Sequence, residues 1–219
     1  FGEFCRVLAT GSPGTPRTEA REEVARLVEV YCEWAANEKV ALESAIGGSI
    51  AGGRSLSTME HVGVNVAADA LLTLTYTGVN AGLILRVSDD PGMHSSQNEQ
   101  DSRNYAKFAK VPMLDPADSQ EAYEMVKVGF EISEQFDTPL MLRTTTRISH
   151  AKGVVIPQQK ISPQIGAWVK DVPKYVMLPN FGKIKHVEVE ARLLKLQEFA
   201  ETTPLNKIEM RDTGLGIIT

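Results

Sequence analysis

The feature that most constrains the fold is an alternation of short apolar runs with longer segments of helical periodicity. The runs typical of strands cover residues 6–10, 31–34, 56–59, 83–88, 113–115 and 140–144. Apolar residues at helical spacing lie between them, over residues 18–30, 37–51 and 119–136. Because consecutive strands joined by helices form right-handed crossovers, the alternation predicts an α/β fold: a mostly parallel sheet with helices on both faces.

The chain divides into three expected parts. Residues 1–150 carry the alternating pattern and should form the sheet domain. Residues 151–210 contain several prolines and one amphipathic segment, 188–201, which is typical of an extended Pro-rich arm or connector. Residues 211–219 end on the apolar run LGIIT, which we interpret as the start of a following domain.

Composition excludes several classes of protein. The 219 residues carry 23 Lys and Arg against 28 Asp and Glu, a net charge of −5, which argues against a non-specific nucleic-acid binder. Two cysteines, Cys5 and Cys32, cannot form a disulfide scaffold, a zinc site or an iron–sulfur cluster by themselves. Together with the lack of a signal-peptide pattern, this indicates the cytoplasm. The long apolar stretch 62–85 is interrupted at Gly78 and Asn80, so we expect a helix, a turn and a strand rather than a membrane span.

Ligands of parallel sheets bind beyond the carboxyl ends of the strands, so the loops there are the candidate site. These loops are expected at residues 11–16, 35–38, 59–65, 89–103 and 145–153. The four histidines lack the spacing of a metal motif, and GGSIAGG (47–53) lacks the Lys-Ser/Thr ending of a phosphate-binding loop. From the residues alone, helix capping and turn formation explain these loops as well as a functional site does.

Five segments together carry a resemblance to a known family. They are SPGTP (12–16), EWAANEKVALE (33–43), STMEHVGVNVAAD (57–69), SDDPGMHSSQNEQDSR (88–103) and LRTTTRISHAKGVV (142–155). In these segments the chain resembles the alpha subunits of indolepyruvate:ferredoxin oxidoreductases, within the thiamine-diphosphate-dependent 2-oxoacid:ferredoxin oxidoreductases. The resemblance is dense over residues 12–155 and thinner towards residue 219, and it identifies the chain as the pyrimidine-binding domain.

The resemblance implies roles for three catalytic residues. Glu38 matches the carboxyl group that hydrogen-bonds the aminopyrimidine ring of the cofactor and helps to remove the thiazolium C2 proton. Thr15 matches a threonine beside the reacting carbonyl group. Arg103 matches an arginine that faces the substrate carboxylate, a task that suits the guanidinium fork.

Three further residues are expected near the same site. His61 and Asn65, which we place in the loop after the third strand, are expected to contact the cofactor ring. His94 is a weaker candidate for contact with substrate or for proton transfer. No metal ligand is assigned within the chain, and ordinary loop structure remains an equal alternative for all three residues.

The resemblance also implies an activity and its partners. The family oxidatively decarboxylates aryl 2-oxoacids such as indole-3-pyruvate to acyl-CoA and CO2, with ferredoxin as electron acceptor. The partners are the remaining domains of the alpha subunit, a beta subunit, ferredoxin, the 2-oxoacid and coenzyme A, with no nucleic acid and no membrane. The sequence lacks the GDG-type motif and the cysteine-rich tail of the family, so magnesium and iron–sulfur clusters are expected outside this segment. A related enzyme of different substrate preference and a non-catalytic assembly fragment remain alternatives.

Overall fold

A computed structural model describes residues 6–9, 30–158, 167–210 and 214. Its strands are β1 (Arg6–Ala9), β2 (Tyr31–Trp34), β3 (Ser55–Glu60), β4 (Leu83–Asp89), β5 (Met113–Leu114) and β6 (Leu140–Thr145). Its helices are α1 (Glu38–Ile50), α2 (His61–Thr77), α3 (Ser102–Ala109), α4 (Ser119–Phe136), α5 (Thr146–His150), α6 (Val172–Tyr175) and α7 (Pro179–Thr202).

The described strands form one parallel sheet in the order β2-β1-β3-β4-β6-β5. The central strand β4 is aligned with β3, where Leu85 lies opposite Ser57, and with β6, where it lies opposite Met141. Apolar side chains of β4 and β6 are almost fully buried, which requires cover on both faces of the sheet. The arrangement confirms the α/β fold expected from the alternating pattern.

Two apolar layers hold the helices on the sheet. The layer on one face joins β4 to α1, α2 and α3 through residues such as Leu42, Leu71 and Ala106. The layer on the other face joins Ile84 and Leu142 of the sheet to α4. Burial of these side chains stabilises the domain and fixes the direction of each helix relative to the strand before it.

Most elements of the sheet domain agree with the sequence-based expectations. The stretch 62–85 divides into α2 without its first residue, a turn at Gly78 and the start of β4, and no described helix is long and apolar enough to cross a membrane. The N-cap of α4 is Asp118, whose carboxylate accepts the backbone N–H of Glu121 at 2.9 Å. The helix expected at 18–30 lies outside the described residues apart from its last position.

The loop expected at residues 59–65 does not exist. Strand β3 ends at Glu60 and α2 begins at His61, because the extended backbone of Glu60 serves directly as the N-cap of the helix. His61 and Asn65 therefore lie on the first turns of a helix and not in a loop. The loop expected at 145–153 likewise contains the short helix α5.

The connector contains more helix than its prolines suggested. Residues 151–158 are exposed and have no regular structure, but α7 begins at Pro179, well before the amphipathic segment expected at 188–201. Pro179 is compatible with this start because a proline in the first helical turn interrupts no hydrogen bond. The three-part division of the chain stays a prediction, and residues 215–219 lie outside the described part.

Helix α7 lies at the amino-end edge of the sheet, opposite the expected site. Arg192 donates a hydrogen bond from Nη1 to the carbonyl oxygen of Asp137 at 2.7 Å and another from Nη2 to that of Thr75. Lys110, just before β5, binds Glu190 of the same helix. These contacts tie the carboxyl-terminal ends of α2, α3 and α4 to α7.

Candidate functional site

Glu38 opens α1 at the carboxyl-end edge of the sheet. Asn37 caps this helix, because its Oδ1 accepts the backbone N–H of Val40 at 3.0 Å. Two residues separate β2 from the cap, so Glu38 emerges beside the ends of the strands. Its side chain is half-buried and makes no hydrogen bond or ion pair with the residues that the structure describes.

Glu38 lies against the first turn of α2. A Cβ atom added to Gly63 would come 2.3 Å from Cγ and 3.1 Å from Cδ of Glu38. Only glycine at position 63 leaves this space to the Glu38 side chain. The starts of α1 and α2 therefore place the unpaired carboxylate of Glu38 against Gly63, where it can accept a hydrogen bond from a ligand.

His61, the first residue of α2, is 1% exposed. Its Nε2 lies 3.0 Å from the carbonyl oxygen of Asn98, so Nε2 carries the proton and donates it. Its Nδ1 is buried and has no hydrogen-bond partner among the described residues. His61 thus connects the start of α2 to the long polar loop after β4, and Asn65, one turn later, accepts from the Tyr105 hydroxyl of α3 at 3.0 Å.

The beginning of that polar loop is fixed by Asp90. Its carboxylate accepts the backbone N–H groups of Ser95 and Ser96 at 2.9 and 3.0 Å and the Thr146 hydroxyl at 2.6 Å. The hydrogen bonds from Ser95 and then Thr146 hold the pKa of Asp90 well below its usual range. The loop is therefore closed on itself and attached to the start of α5.

The end of the loop is fixed by Asp89. Its buried carboxylate accepts the backbone N–H of Ser102 at 3.1 Å and also binds the hydroxyl of that residue. Arg143 of β6 donates from Nε to Asp89 and from Nη1 to Asp115, both at 2.6 Å. The adjacent carboxylates at the end of β4 thus hold one end of the loop at the start of α5 and the other end against β6.

Arg103, in the first turn of α3, is bound along one edge by Asp101. Nε donates to Oδ1 at 2.8 Å and Nη2 to Oδ2 at 2.7 Å, while Oδ1 also accepts the backbone N–H of Arg103 as the N-cap. The ion pair with Arg103 lowers the pKa of Asp101. The Arg103 side chain is 63% exposed, and its second edge, Nη1 with Nη2, faces no described acceptor.

The structure brings together some of the expected residues. Glu38, His61 and Asn65 lie at the adjoining starts of α1 and α2, and the polar loop connects this pair to Arg103 at the start of α3. His94 is exposed on the loop. Thr15 lies outside the described residues.

Sequence reasoning did not single out the residues that support this arrangement. They are Gly63, Asp89, Asp90, Asp101 and Arg143. Asp89 and Asp90 are of a residue type that is common in turns, so their position alone does not indicate a further role. No local pattern indicates that Gly63 adjoins Glu38. The one available signal was Asp101, two residues before an arginine at a helix start, which is typical of an N-cap.

Comparisons with known proteins agree with the fold and the segments of resemblance. The family model described as "Pyruvate flavodoxin/ferredoxin oxidoreductase, thiamine diP-bdg" matches residues 5–173. A curated relative from Pyrococcus horikoshii, named "Indolepyruvate oxidoreductase subunit IorA", is 45% identical over 94% of this chain and 33% of its own length. A relative of the same name from Methanothermobacter marburgensis is 41% identical over 96% of this chain and 35% of its own. The chain spans about a third of the length of these relatives.

A solved structure shares the fold. The 2-oxoglutarate:ferredoxin oxidoreductase from Magnetococcus marinus superposes with a TM-score of 0.61 at 15% sequence identity, covering 90% of this chain and 42% of that one. The family model covers well over half of the chain, and the relatives align along nearly all of it. The chain therefore belongs to the thiamine-diphosphate-binding family of the pyruvate flavodoxin/ferredoxin oxidoreductases.

Proposed function

We propose that the chain is the pyrimidine-binding domain of a thiamine-diphosphate-dependent indolepyruvate (2-oxoacid):ferredoxin oxidoreductase. The complete enzyme would oxidatively decarboxylate aryl 2-oxoacids to acyl-CoA and CO2 and pass the electrons to ferredoxin. Family membership and the names of the relatives support this proposal. In this proposal, magnesium, the iron–sulfur clusters and a beta subunit lie outside these residues. We infer a cytoplasmic location because the two cysteines form no disulfide framework.

The observation that carries the proposal is the unpaired carboxylate of Glu38 over Gly63. A glutamate in the first turn of an exposed helix would extend into solvent, but this one lies against the neighbouring helix start at the edge where ligands of parallel sheets bind. Because Gly63 has no side chain, the Glu38 carboxylate can occupy this position. No described cation neutralises the carboxylate.

The residues present fit the pyrimidine end of thiamine diphosphate. When bound, the cofactor supplies a nucleophilic carbon for attack on the carbonyl group of a 2-oxoacid. Glu38 would hold a proton at a ring nitrogen of the aminopyrimidine, accepting and returning it at that atom. His61 and Asn65 would border the same ring, and the buried, unpartnered Nδ1 of His61 is an acceptor for a donor that the described protein does not provide.

Substrate binding would fall to the start of α3. The free edge of Arg103 can donate two parallel hydrogen bonds to a carboxylate while Asp101 holds the other edge. Thr15 would lie beside the reacting carbonyl group, and His94 would contact substrate from the polar loop. These assignments follow the motif positions of the resemblance.

The test compares Glu38→Gln with the wild type in the complete protein. Glutamine keeps the shape of the side chain but cannot exchange a proton with the ring, so hydrogen–deuterium exchange at the thiazolium C2 should slow by about 10²–10⁴-fold. Binding of thiamine diphosphate, measured by calorimetry, should change much less, because most of the affinity would come from the diphosphate end. Glu43→Gln, an exposed glutamate on the same helix, is the matched control.

Two results would contradict the proposal in different ways. Exchange at the wild-type rate in Glu38→Gln would remove Glu38 from proton transfer. Full turnover by that variant would favour the alternative of a non-catalytic assembly fragment. The ratio of kcat/KM for aryl and alkyl 2-oxoacids in the complete enzyme distinguishes indolepyruvate from a different substrate preference.

A further inference from the structure

Helix α7 has apolar residues on two opposite faces. Its inner face is buried against the domain through Val189 and Leu196, which are 3% and 8% exposed. The opposite face carries an outer stripe, which we define as Ile184, Val187, Ala191 and Leu194. All four are exposed, and Ile184, Val187 and Leu194 by more than 60%.

The spacing of the outer stripe is that of a coiled-coil seam. Successive members are three, four and three residues apart, which corresponds to positions a, d, a and d of the heptad repeat. At about 1.5 Å per residue the stripe is about 15 Å long. The other side of α7 already packs against the domain, so a stripe of this kind is suited to packing against a second helix.

Charged residues border the stripe on both sides. In the heptad, Lys183 and Glu190 occupy g positions, and Glu188 and Lys195 occupy e positions. Glu188 also binds Lys185 at 2.6 Å within α7 but keeps half of its side chain exposed. Glu190 binds Lys110 and is 45% exposed, so both glutamates remain accessible from outside.

These charges are complementary to those of an identical helix. In a parallel pair each g residue lies near the e residue five positions later on the partner helix. Lys183 then lies near Glu188 of a second copy, and Glu190 near Lys195. When the two helices are related by a two-fold axis, the same two contacts form on the other side of the pair. Every contact that flanks the stripe then joins opposite charges. An antiparallel pair would bring the two copies of Glu190 together, which disfavours that orientation.

We propose that the outer stripe of α7 binds the same stripe of a second copy of the chain, as a parallel pair of helices about a two-fold axis. The inference does not depend on the proposed catalytic function. The stripe is short, and stable dimers bury about 1,200–2,000 Å² in total, so we expect a reversible contact that strengthens with protein concentration.

The test is zero-length cross-linking of the complete protein with a carbodiimide, which joins a lysine to a carboxylate only when the two are in contact. The expected result is a covalent dimer of twice the subunit mass that contains the coupled peptides of Lys183 and Glu188. Coupling of Lys185 to Glu188 within one helix should appear in the monomer and serves as the internal control.

Two variants test the apolar and charged parts of the contact separately. Leu194→Asp should reduce the yield of this dimer severalfold, whereas Ile208→Asp, at a residue 87% exposed outside the stripe, should leave it unchanged. Lys183→Glu should also reduce it, and the double variant Lys183→Glu/Glu188→Lys should restore it. The double variant can restore the dimer only if residues 183 and 188 pair directly between the two copies. If Lys183→Glu acted by destabilising the helix, the second change would not restore the dimer.

Three results would overturn the proposal. One is the absence of the Lys183–Glu188 dimer at every protein concentration tested. Another is a dimer joined through Glu188 and Lys195, which the in-register parallel pair does not bring together. The third is coupling of these α7 residues to a different segment of the complete protein or to another polypeptide, which would assign the stripe to that partner.

Discussion

Gly63 of α2 touches Glu38 of α1 so closely that a methyl group at position 63 would overlap the Glu38 side chain. The added Cβ would lie 2.3 Å from Glu38 Cγ and 3.2 Å from the Cβ of Met59. The Cβ of Met59 is fixed by the backbone of β3, so the Glu38 side chain would have to move. The position of the carboxylate therefore depends on a residue in a different helix that has no side chain.

Gly63→Ala is expected to impair function more than stability. Alanine favours the helix by about 0.5–1 kcal/mol, which offsets part of the overlap. Displacement of Glu38 by about 1 Å should slow hydrogen–deuterium exchange at the thiazolium C2 by roughly 10²-fold. Both effects are measured in the complete protein, by thermal unfolding and by exchange followed with NMR.

Gly47→Ala is the matched control for this change. Gly47 lies in α1, and a Cβ there would meet no heavy atom within 4 Å. We expect a gain of about 0.5–1 kcal/mol in the free energy of unfolding and no change in exchange. Equal exchange rates in Gly63→Ala and Gly47→Ala would show that the contact with Glu38 does not position the carboxylate.

The sheet could be predicted because its signals are local. Tyr31–Trp34 and the helix Ser119–Phe136 have the bounds that the apolar pattern gave them. The junction at Glu60 and His61 could not be predicted, since no glycine or proline separates strand from helix there. The first half of α7 was missed because apolar residues on two opposite faces cancel the periodic signal of a single buried face.

The site was predictable only in part. Glu38 and Arg103 were identified from a resemblance, and their surroundings depend on contacts between residues distant in sequence. Arg143 and Asp89, for example, are 54 positions apart and meet because β4 and β6 are neighbours in the sheet. Neither residue lies in a pattern from which that pairing could be inferred.

Asp101→Asn should weaken substrate binding without disturbing α3. Asparagine still caps the helix, because its Oδ1 can accept the backbone N–H of Arg103. The charge that aligns the guanidinium is lost, and since the pair is exposed we expect only a modest effect, roughly a fivefold rise in KM for the 2-oxoacid, with kcat retained. Steady-state kinetics of the complete enzyme measure the two constants separately. A lower KM would show instead that Asp101 competes with the substrate carboxylate.

The pair of Arg54 and Glu134 should give a pH-dependent contribution to stability. Arg54 donates from Nε and Nη2 to the two oxygens of Glu134, both at 2.8 Å, and this lowers the pKa of Glu134 from 4.5. A carboxylate with a lowered folded-state pKa stabilises the protein above its unfolded pKa, and the contribution disappears as the pH falls through the folded value.

Glu134→Gln is therefore expected to cost about 1 kcal/mol at neutral pH, since the pair is partly exposed. Glutamine can still accept the backbone N–H of Gly82, which Glu134 accepts at 3.0 Å. Urea titrations from pH 7 down to about pH 4 should show the difference between variant and wild type narrowing only in the acidic part of the range. A difference independent of pH would attribute the loss to packing.

Removal of Arg143 should cost more than removal of any exposed cation, because it leaves a buried carboxylate unpaired. The side chains of Arg143 and Asp89 are 8% and 1% exposed. We expect Arg143→Met to lower the free energy of unfolding by about 3–5 kcal/mol, and the double variant Asp89→Asn/Arg143→Met to lower it by less than the sum of the single changes. Urea denaturation of all four proteins gives the coupling energy, and amide hydrogen exchange at Ser102 should speed up in both single variants as the end of the polar loop is released. Additive losses with unchanged exchange at Ser102 would show that the ion pair does not hold the loop to the sheet.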